Sequence, residues 1–350
     1  MDFGGGKEIR FERRGKAGVV TLTRPKALNA VTHRMVNALT AALEAWAADD
    51  AVDAVVIQAE GRAFSAGGDL LDLYRARQAG ESRLGFFRDE YLLNAAIARF
   101  EKPYVALIDG IVMGGGVGIS AHGSHRVLGE KAEFAMPETG IGFFPDVGGS
   151  FILSHLKGGF GMFLGLTGKR IGPGDTLACG IGTHAVRSED FPAILAGIAE
   201  TGTPDAVLAP FQLSPPPAPL LNEAEKLAIG HHFTLGSLGD LIASLEKAAA
   251  DGDEFATGAL GLLAGRSPTS LHVAFRQITF GAMLSMDECM RMEFRIVTRM
   301  LGGDDFFEGI RAVMIDKGDT PTWRPATLDE IDEAAIEAYF DPLPGGELGI

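Results

Sequence analysis

The chain has 350 residues, of which 46% are hydrophobic, and a formal net charge of −15. This length and composition allow one large domain or two ordinary ones with a substantial buried core. The negative charge disfavours a general nucleic-acid or anionic-membrane binder, because both partners are polyanions that attract clustered Lys and Arg. We therefore expect no nucleic-acid partner and no membrane partner.

Cysteine usage and the first residues bear on the compartment. Cys179 and Cys289 lie far apart without a CxxC spacing, which indicates neither a disulfide framework nor a thiolate metal site. The N-terminus shows no apolar run after a basic start, and the chain has no stretch of about 18 uninterrupted apolar residues. These features predict a cytoplasmic protein.

Short β-branched runs alternate with a helical pattern in the first part of the chain. Residues 18–23 form a strand pattern that ends at Arg24-Pro25, and apolar residues then recur at helical spacing from Met35 to Trp46. Thr32 is placed to cap that helix. Two further buried strands are predicted at the segments 52–59 and 104–108. This order predicts an α/β core with parallel strand pairings.

The composition shifts near Thr201. Six prolines in this stretch are expected to break regular structure, namely Pro204, Pro210, Pro215, Pro216, Pro217 and Pro219. Residues 222–263 and 271–301 are rich in helix formers. The sequence therefore predicts a core at residues 1–200, a proline-rich linker at 201–221 and a helical region at 222–350.

Two glycine clusters are candidates for binding a developing negative charge. Residues 62–70 place two glycines before Asp69, which can cap the next helix, and residues 109–118 place three consecutive glycines after a buried strand. Backbone N–H groups exposed in two such turns would form an oxyanion hole for acyl chemistry. Tight turns without a ligand remain the alternative, and a dinucleotide site is disfavoured because this strand does not open a βαβ unit.

A third cluster, residues 134–150, holds Glu138 and Asp146 among glycine, proline and phenylalanine. Partial desolvation would raise the carboxylate pKa values and suit them to activating water or protonating a leaving thiolate. Asp146 could equally be a helix N-cap before Val147-Gly148-Gly149, and both roles can hold together.

Other polar residues carry less information. His122 and His125 are three residues apart on a helix predicted after Gly118, but no acidic or cysteine partner completes a metal set, so we expect no metal and structural roles for both. The sequence contains no GxSxG motif, which removes the usual serine route to thioester cleavage.

Three motifs together resemble the crotonase superfamily. They are Phe-Ser-Ala-Gly-Gly-Asp at 64–69, the triple glycine at 114–116 and Met-Pro-Glu at 136–138. The resemblance implies a crotonase-like spiral core of repeated ββα units with a C-terminal helical region, and an acyl-CoA substrate without a separate cofactor. It places the oxyanion-hole N–H donors at Gly68 and Gly115. Arg24, Lys26 and Arg62 could then contact the CoA phosphates, although isolated surface bases are ordinarily just solvated.

Within that superfamily, the chain is most similar to the 3-hydroxyisobutyryl-CoA hydrolases. Gly-Phe-Phe-Pro-Asp-Val-Gly-Gly-Ser at 142–150 matches them, which implies that Glu138 and Asp146, eight residues apart, are the catalytic pair. Glu90 corresponds to a substrate-contacting glutamate, the alternative being a solvated helix charge. The segments 305–313 and 315–323 look like the hydrolases' C-terminal signature, although Phe307 stands where some relatives have histidine.

The resemblance implies hydrolysis of 3-hydroxyisobutyryl-CoA in valine catabolism. An enoyl-CoA hydratase or isomerase is one alternative, but Gly118 stands where hydratases carry their other glutamate. A non-catalytic acyl-CoA-binding protein is the second alternative. A homo-oligomer is possible, since crotonase relatives commonly form trimers, yet the long helical C-terminus could cover the surface that trimers use.

Overall fold

The computed structural model describes every residue except Pro215. Pro215 is part of the predicted linker, and for this residue the prediction lies outside the described residues. These residues form two compact units. The first unit comprises Met1–Asp69, Asp89–Phe134 and Ile171–Leu220, and the second comprises Leu70–Arg88, Ala135–Arg170 and Leu221–Ile350. The division at 1–200, 201–221 and 222–350 stays a prediction. None of the described helices has both the length and the apolar composition to cross a membrane.

The strands build two sheets. Their bounds are β1 Ile9–Arg14, β2 Ala17–Leu22, β3 Ala54–Ala59, β4 Ala63–Ser65, β5 Tyr104–Ile108, β6 Ile111–Met113, β7 His125–Leu128, β8 Glu133–Ala135 and β9 His184–Ala185. The larger sheet has the order β1-β2-β3-β5-β7-β9 and the smaller has the order β4-β6-β8. In the larger sheet β1 pairs with β2 antiparallel, and every later pairing is parallel.

Successive strands alternate between the two sheets. The chain enters the larger sheet at β3, β5 and β7, and passes each time into the smaller sheet at β4, β6 and β8. Because a parallel sheet is covered on both faces, its strands read as continuous apolar runs, as the fully buried β2 and β5 do. The predicted α/β class with parallel pairings is confirmed.

Helices make up most of the remaining described structure. Their bounds are α1 His33–Ala47, α2 Leu70–Gln78, α3 Leu84–Ala98, α4 Gly115–Gly118, α5 Gly149–Ser154, α6 Phe160–Thr167, α7 Pro173–Ala178, α8 Phe191–Thr201, α9 Pro204–Leu208, α10 Glu223–His232, α11 Leu238–Ala250, α12 Glu254–Leu263, α13 Pro268–Gly281, α14 Met286–Met300, α15 Asp305–Ile310 and α16 Glu333–Glu337. The first helix matches its prediction, because the Thr32 side chain accepts a hydrogen bond from the Met35 N–H at 3.2 Å.

One face of the larger sheet packs on the helices that follow it in the first unit. Val56 and Val105 of the sheet lie in one buried cluster with Ile194 and Ile198 of α8 and Leu208 of α9. Residues 204–208 fall in the stretch where prolines were expected to break every regular element, and for them that expectation is wrong. Pro204 occupies the first turn of α9, where a missing N–H costs no helical hydrogen bond.

The second unit is largely helical. The predicted run of helices after residue 222 is present as α10 to α16. Six of these helices follow an N-cap residue whose side chain accepts a hydrogen bond from the first turn: Asn222, Ser237, Asp253, Ser267, Ser285 and Asp332. Such caps satisfy the N–H groups that a helix start leaves without partners, which explains why the boundaries fall at these residues.

Candidate active site

The two glycine turns of the first unit lie against each other. Gly67, at the end of β4, has a φ of +111°, a conformation that residues with a side chain rarely adopt. A Cβ atom on Gly67 would lie 3.6 Å from the Met113 carbonyl oxygen and 3.9 Å from the Gly115 nitrogen. A Cβ on Gly116 would lie 2.5 Å from the Ser65 carbonyl oxygen. The positive φ at Gly67 and the close contact at Gly116 both favour glycine, and they bring the two turns of the predicted oxyanion donors together.

The turn before Gly68 is fixed by a network around Asn29. The Asn29 side chain donates to the Glu60 and Ala63 carbonyls at 2.8 and 2.9 Å. Ser65 Oγ donates to the Asn29 carbonyl at 2.8 Å. The Val31 N–H donates to the Gly67 carbonyl, also at 2.8 Å. Buried hydrogen bonds of this kind hold the turn in one geometry, as an oxyanion hole requires.

Glu90, on α3, is only 2% exposed. A Cβ on Gly115 would lie 2.8 Å from Glu90 Oε1 and 3.4 Å from the Gly68 nitrogen. The alternative of a solvated helix charge is therefore wrong. The structure brings Glu90, Gly68 and Gly115 together within the first unit, while their roles toward a substrate stay predictions.

The predicted phosphate-binding bases have different surroundings. Arg24 donates to the Asp69 carboxylate at 2.8 Å and to the Ala30 carbonyl at 2.5 Å, so its guanidinium stabilises the glycine turn. Lys26 and Arg62 are exposed. Their contact with CoA phosphates stays a prediction.

The helix predicted to carry His122 and His125 is absent. Helix α4 ends at Gly118, and His125 begins β7 instead. The His125 ring is hydrogen-bonded to Asp205 at 3.0 Å and to Ser124 at 2.8 Å. Consecutive glycines are poor helix formers, which explains why α4 stops after four residues. The absence of a metal site stays a prediction.

Glu138 begins a short 3₁₀ turn, Glu138–Ile141, in the second unit. Its side chain is 6% exposed, and its Oε2 has no hydrogen-bond partner among the described residues. The Phe143 N–H donates to the Glu138 carbonyl at 3.0 Å, and Thr139 Oγ1 donates to the Leu166 carbonyl at 3.1 Å. The backbone of the turn is thereby fixed, while a carboxylate oxygen of Glu138 is left for another partner.

Asp146 lies 5% exposed in the turn before α5. The alternative in which Asp146 is the helix N-cap is wrong, because Gly148 is the N-cap residue of α5. The Asp146 carbonyl accepts from the Gly149 N–H at 2.8 Å. The N-cap position of α5 is thus held by Gly148 and not by Asp146.

A residue that the sequence analysis missed supplies the missing cap. Glu293 of α14 is fully buried, and its two carboxylate oxygens accept from the Gly148 and Ser150 N–H groups at 2.8 and 2.9 Å. On α13, Gln277 Nε2 donates to the Pro145 carbonyl at 2.5 Å. A signal existed, since both side chains interrupt apolar stripes at helical spacing.

Burial and neighbouring negative charge raise the pKa values of Glu138 and Glu293. Desolvation is the main cause that raises the pKa of Glu138 well above its usual value, and the Asp146 charge adds to it. Desolvation also raises the pKa of Glu293, to about 8. The positive charge of Arg266 acts in the opposite direction on the pKa of Glu138. Glu138 is therefore a stronger base than an ordinary glutamate when it is deprotonated.

Aromatic side chains exclude water around the same turn. Phe143 stacks on Phe306 at a centroid distance of 4.3 Å and contacts Phe144 at 4.7 Å and Phe87 at 5.7 Å. An apolar surrounding strengthens electrostatic interactions and sustains the raised pKa of Glu138.

Comparison with known proteins identifies the family of the chain. Residues 17–340 match the sequence model of the enoyl-CoA hydratase/isomerase family. The chain belongs to this family, the crotonase superfamily, and an acyl-CoA substrate follows from the membership.

Full-length relatives narrow the assignment. The chain is 43% identical to the mitochondrial 3-hydroxyisobutyryl-CoA hydrolase of Danio rerio, with 98% of this chain and 92% of that protein covered. It is 39% identical to the protein of the same name from Homo sapiens, with 98% and 90% covered. These matches put the chain in the 3-hydroxyisobutyryl-CoA hydrolase subfamily, as its motifs predicted.

Solved structures confirm the predicted crotonase-like fold. A structure described as a carnitinyl-CoA dehydratase from Mycobacterium thermoresistibile has a TM-score of 0.91 and 40% identity, with 98% of each chain covered. One described as an enoyl-CoA hydratase from Rhodobacter sphaeroides 2.4.1 has a TM-score of 0.88 and 36% identity, with 98% of this chain and 100% of that chain covered.

The predicted cytoplasmic location is wrong. Both hydrolases named above are mitochondrial by name, and so are those of Rattus norvegicus and Gallus gallus, which the chain also matches. Scarce cysteines indicate only that the protein does not depend on disulfides, which does not separate the cytosol from another reducing compartment.

Proposed function

We propose that this chain hydrolyses the thioester of 3-hydroxyisobutyryl-CoA, giving 3-hydroxyisobutyrate and CoA. The observation that carries the proposal is the buried pair Glu138 and Asp146, eight residues apart, in a chain with Gly118 at the hydratase glutamate position. The names of its full-length relatives support the same substrate. We propose a place in valine breakdown on the same ground, and no cofactor beyond the CoA of the substrate.

In the proposed reaction, the thioester carbonyl oxygen accepts hydrogen bonds from the Gly68 and Gly115 N–H groups. Each such donor typically contributes roughly 2.7–4 kcal/mol to the stability of the transition state. Deprotonated Glu138 either removes a proton from the attacking water or attacks the carbonyl carbon itself. Its raised pKa supports this role, because a stronger base takes up the proton more readily.

The carbon–sulfur bond then breaks and its electron pair leaves with sulfur. The thiolate of CoA needs a proton, which Asp146 supplies or relays while it orients the water. Glu90 binds the hydroxyl group of the acyl chain, and its burial beside Gly115 supports that contact.

Oxygen-18 labelling reveals the covalent route when label enters the Glu138 carboxylate. In a single turnover in labelled water, direct general-base attack puts the label into the product acid. If an anhydride forms between Glu138 and the acyl group, attack of water on the Glu138 carboxyl carbon puts label into the Glu138 carboxylate. Mass spectrometry of the product and of the peptide containing Glu138 reads both outcomes.

The proposal is tested by offering the protein 3-hydroxyisobutyryl-CoA and crotonyl-CoA in parallel. Free thiol is measured for the first and loss of enoyl absorbance for the second. We expect thiol release, and Glu138→Gln should abolish it while leaving acyl-CoA binding intact. Glu246→Gln, at an exposed position of α11, is the matched control and should behave as the wild type.

A hydratase or isomerase activity is the second candidate, and the names of the two solved structures cited above favour it. Gly118 opposes it, because a glycine has no carboxylate with which to hold or move a proton. Enoyl loss without thiol release in the parallel assay would replace hydrolysis with this activity. No activity with either substrate would favour an acyl-CoA-binding protein. The predicted homo-oligomer is tested separately by light scattering.

A further inference from the structure

The turn that carries Asp146 is held from both sides by helices of the second unit. Gln277 of α13 donates to the Pro145 carbonyl, one residue before Asp146. Glu293 of α14 accepts from Gly148 and Ser150, two and four residues after it. The three contacts span 132 to 145 positions in the sequence. Asp146 is therefore bracketed by hydrogen bonds from distant elements.

The backbone between these contacts has an unfavourable conformation. Val147 has a φ of +53° and is 1% exposed. A β-branched residue at positive φ is strained and persists only where surrounding contacts impose it. The hydrogen bonds of Gln277 and Glu293 are contacts of this kind.

The choice of a glutamate at position 293 is costly. Its carboxyl group is fully buried, and the Asp146 charge nearby disfavours a second negative charge. An apolar side chain at this position would avoid that cost but would leave the buried Gly148 and Ser150 N–H groups without their acceptor. Neither Glu293 nor Gln277 touches the reacting atoms in the proposed reaction, and both contact the turn that carries Asp146, Glu293 as the cap of α5.

We propose that Glu293 and Gln277 are positioning residues, which hold the Asp146 carboxylate in its working place by fixing the backbone on both sides of it. This inference rests on the proposed hydrolysis, in which Asp146 orients water or delivers a proton. The contacts reach the backbone of the turn, so they set the place of the side chain without touching the substrate.

The test compares Glu293→Gln and Gln277→Met with the wild type. Glu293→Gln puts an NH₂ donor where a carboxylate oxygen accepted a backbone N–H, and Gln277→Met removes the donor to Pro145 at similar volume. Displacement by about 1 Å far from the reacting atoms can cost roughly 100-fold in rate. We expect kcat for thiol release to fall about 10- to 100-fold in each variant, with KM little changed.

Asp175→Asn is the matched control. Asp175 is also buried and also accepts a backbone N–H, from Leu220 at 3.0 Å, but it belongs to the first unit and has no role in the proposed reaction. All variants are assayed below their own unfolding temperatures. An equal fall of kcat in Asp175→Asn would overturn the inference, because neutralising any buried acid would then suffice.

The remaining outcomes are also decisive. Wild-type kcat in both Glu293→Gln and Gln277→Met would overturn the inference while leaving the proposed hydrolysis intact. Should Glu293→Gln fail to fold, Gln277→Met decides alone: a fall in kcat supports the inference and an unchanged kcat overturns it. A wild type that releases no thiol removes the proposed function, and the inference with it, and is seen without any variant.

Discussion

The charge of Asp146 affects the pKa of Glu138, in addition to the catalytic role proposed for Asp146. Both carboxylates are buried, and the negative charge of Asp146 is one cause of the raised pKa of Glu138. Arg266 has the opposite effect, because a positive charge favours the ionised carboxylate. Its guanidinium is held at the site by donation to the Thr167 carbonyl. Opposing neighbours thus set the proton affinity of the predicted base.

We predict that kcat/KM rises with pH as Glu138 loses its proton, at a pH well above the ordinary glutamate range. Asp146→Asn removes the like charge and should move this acid limb to lower pH. Arg266→Gln removes the opposite charge and should move the limb to higher pH. Initial rates across pH at limiting substrate measure both shifts.

Because the two substitutions act in opposite directions, a general loss of activity cannot imitate the result. Shifts of the same sign in both variants, or no shift in either, would mean that Glu138 does not govern the limb.

At the scale of elements, glycine has opposite uses in α4 and α12. In α4, a Cβ on Gly115 would lie 2.8 Å from Glu90 Oε1, so the missing side chain makes room for the buried carboxylate. In α12, a Cβ on Gly261 would meet nothing within 4 Å. A glycine in the interior of a helix costs about 0.5–1 kcal/mol relative to alanine.

The same substitution should therefore have opposite consequences. Gly261→Ala is expected to raise the free energy of unfolding by about 0.5–1 kcal/mol with unchanged kcat/KM. Gly115→Ala is expected to displace Glu90 or the Gly115 N–H and lower kcat/KM about 100-fold. Denaturant unfolding and thiol-release assays measure the two effects, and wild-type activity of Gly115→Ala would contradict the proposed role of this turn.

Elements with a regular apolar period were predictable, and those set by close packing were not. Met35 to Trp46 showed a clean helical period and form α1. No period preceded His122 and His125, and the helix predicted there is absent. Proline alone was a poor guide at Pro204, because its effect depends on its place within a helical turn.

For the whole molecule, buried acids make stability depend on pH. Glu293 has a pKa near 4.5 when exposed and about 8 when folded, so between these values the folded state binds the extra proton. Stability from this group is therefore lost as pH rises through that window. The histidines whose pKa is lowered by burial, His184, His232 and His272, act in the opposite direction around and below pH 6.5.

We predict that Glu293→Gln flattens this dependence. The amide cannot ionise, so the fall in Tm of the wild type between about pH 5 and about pH 8 should become smaller in the variant. The histidine contribution is common to both proteins and cancels in the difference. Calorimetry at several pH values gives the two slopes, and equal slopes would show that Glu293 keeps an ordinary pKa in the folded chain.

The residues named from motifs lie in buried or tightly packed places, whereas the sequence carried only a weak sign of the residues that support them. Glu138 and Asp146 stand close along the chain in a recognisable segment. Glu293 reaches Gly148 across 145 positions, a separation that periodicity cannot bridge. Its only local sign was an acid in an apolar stripe.

Hydrolysis changes the electrostatic interaction between the two buried carboxylates and the acyl group. In the proposed reaction the acyl group enters as a neutral thioester and leaves as a carboxylate, which would form beside the buried Glu138 and Asp146. Like charges in a poorly solvated place repel strongly, so the product anion is held more weakly than the ester from which it came. The burial that raises the pKa of Glu138 therefore also weakens binding of the product anion. Free 3-hydroxyisobutyrate should be a poor inhibitor of turnover.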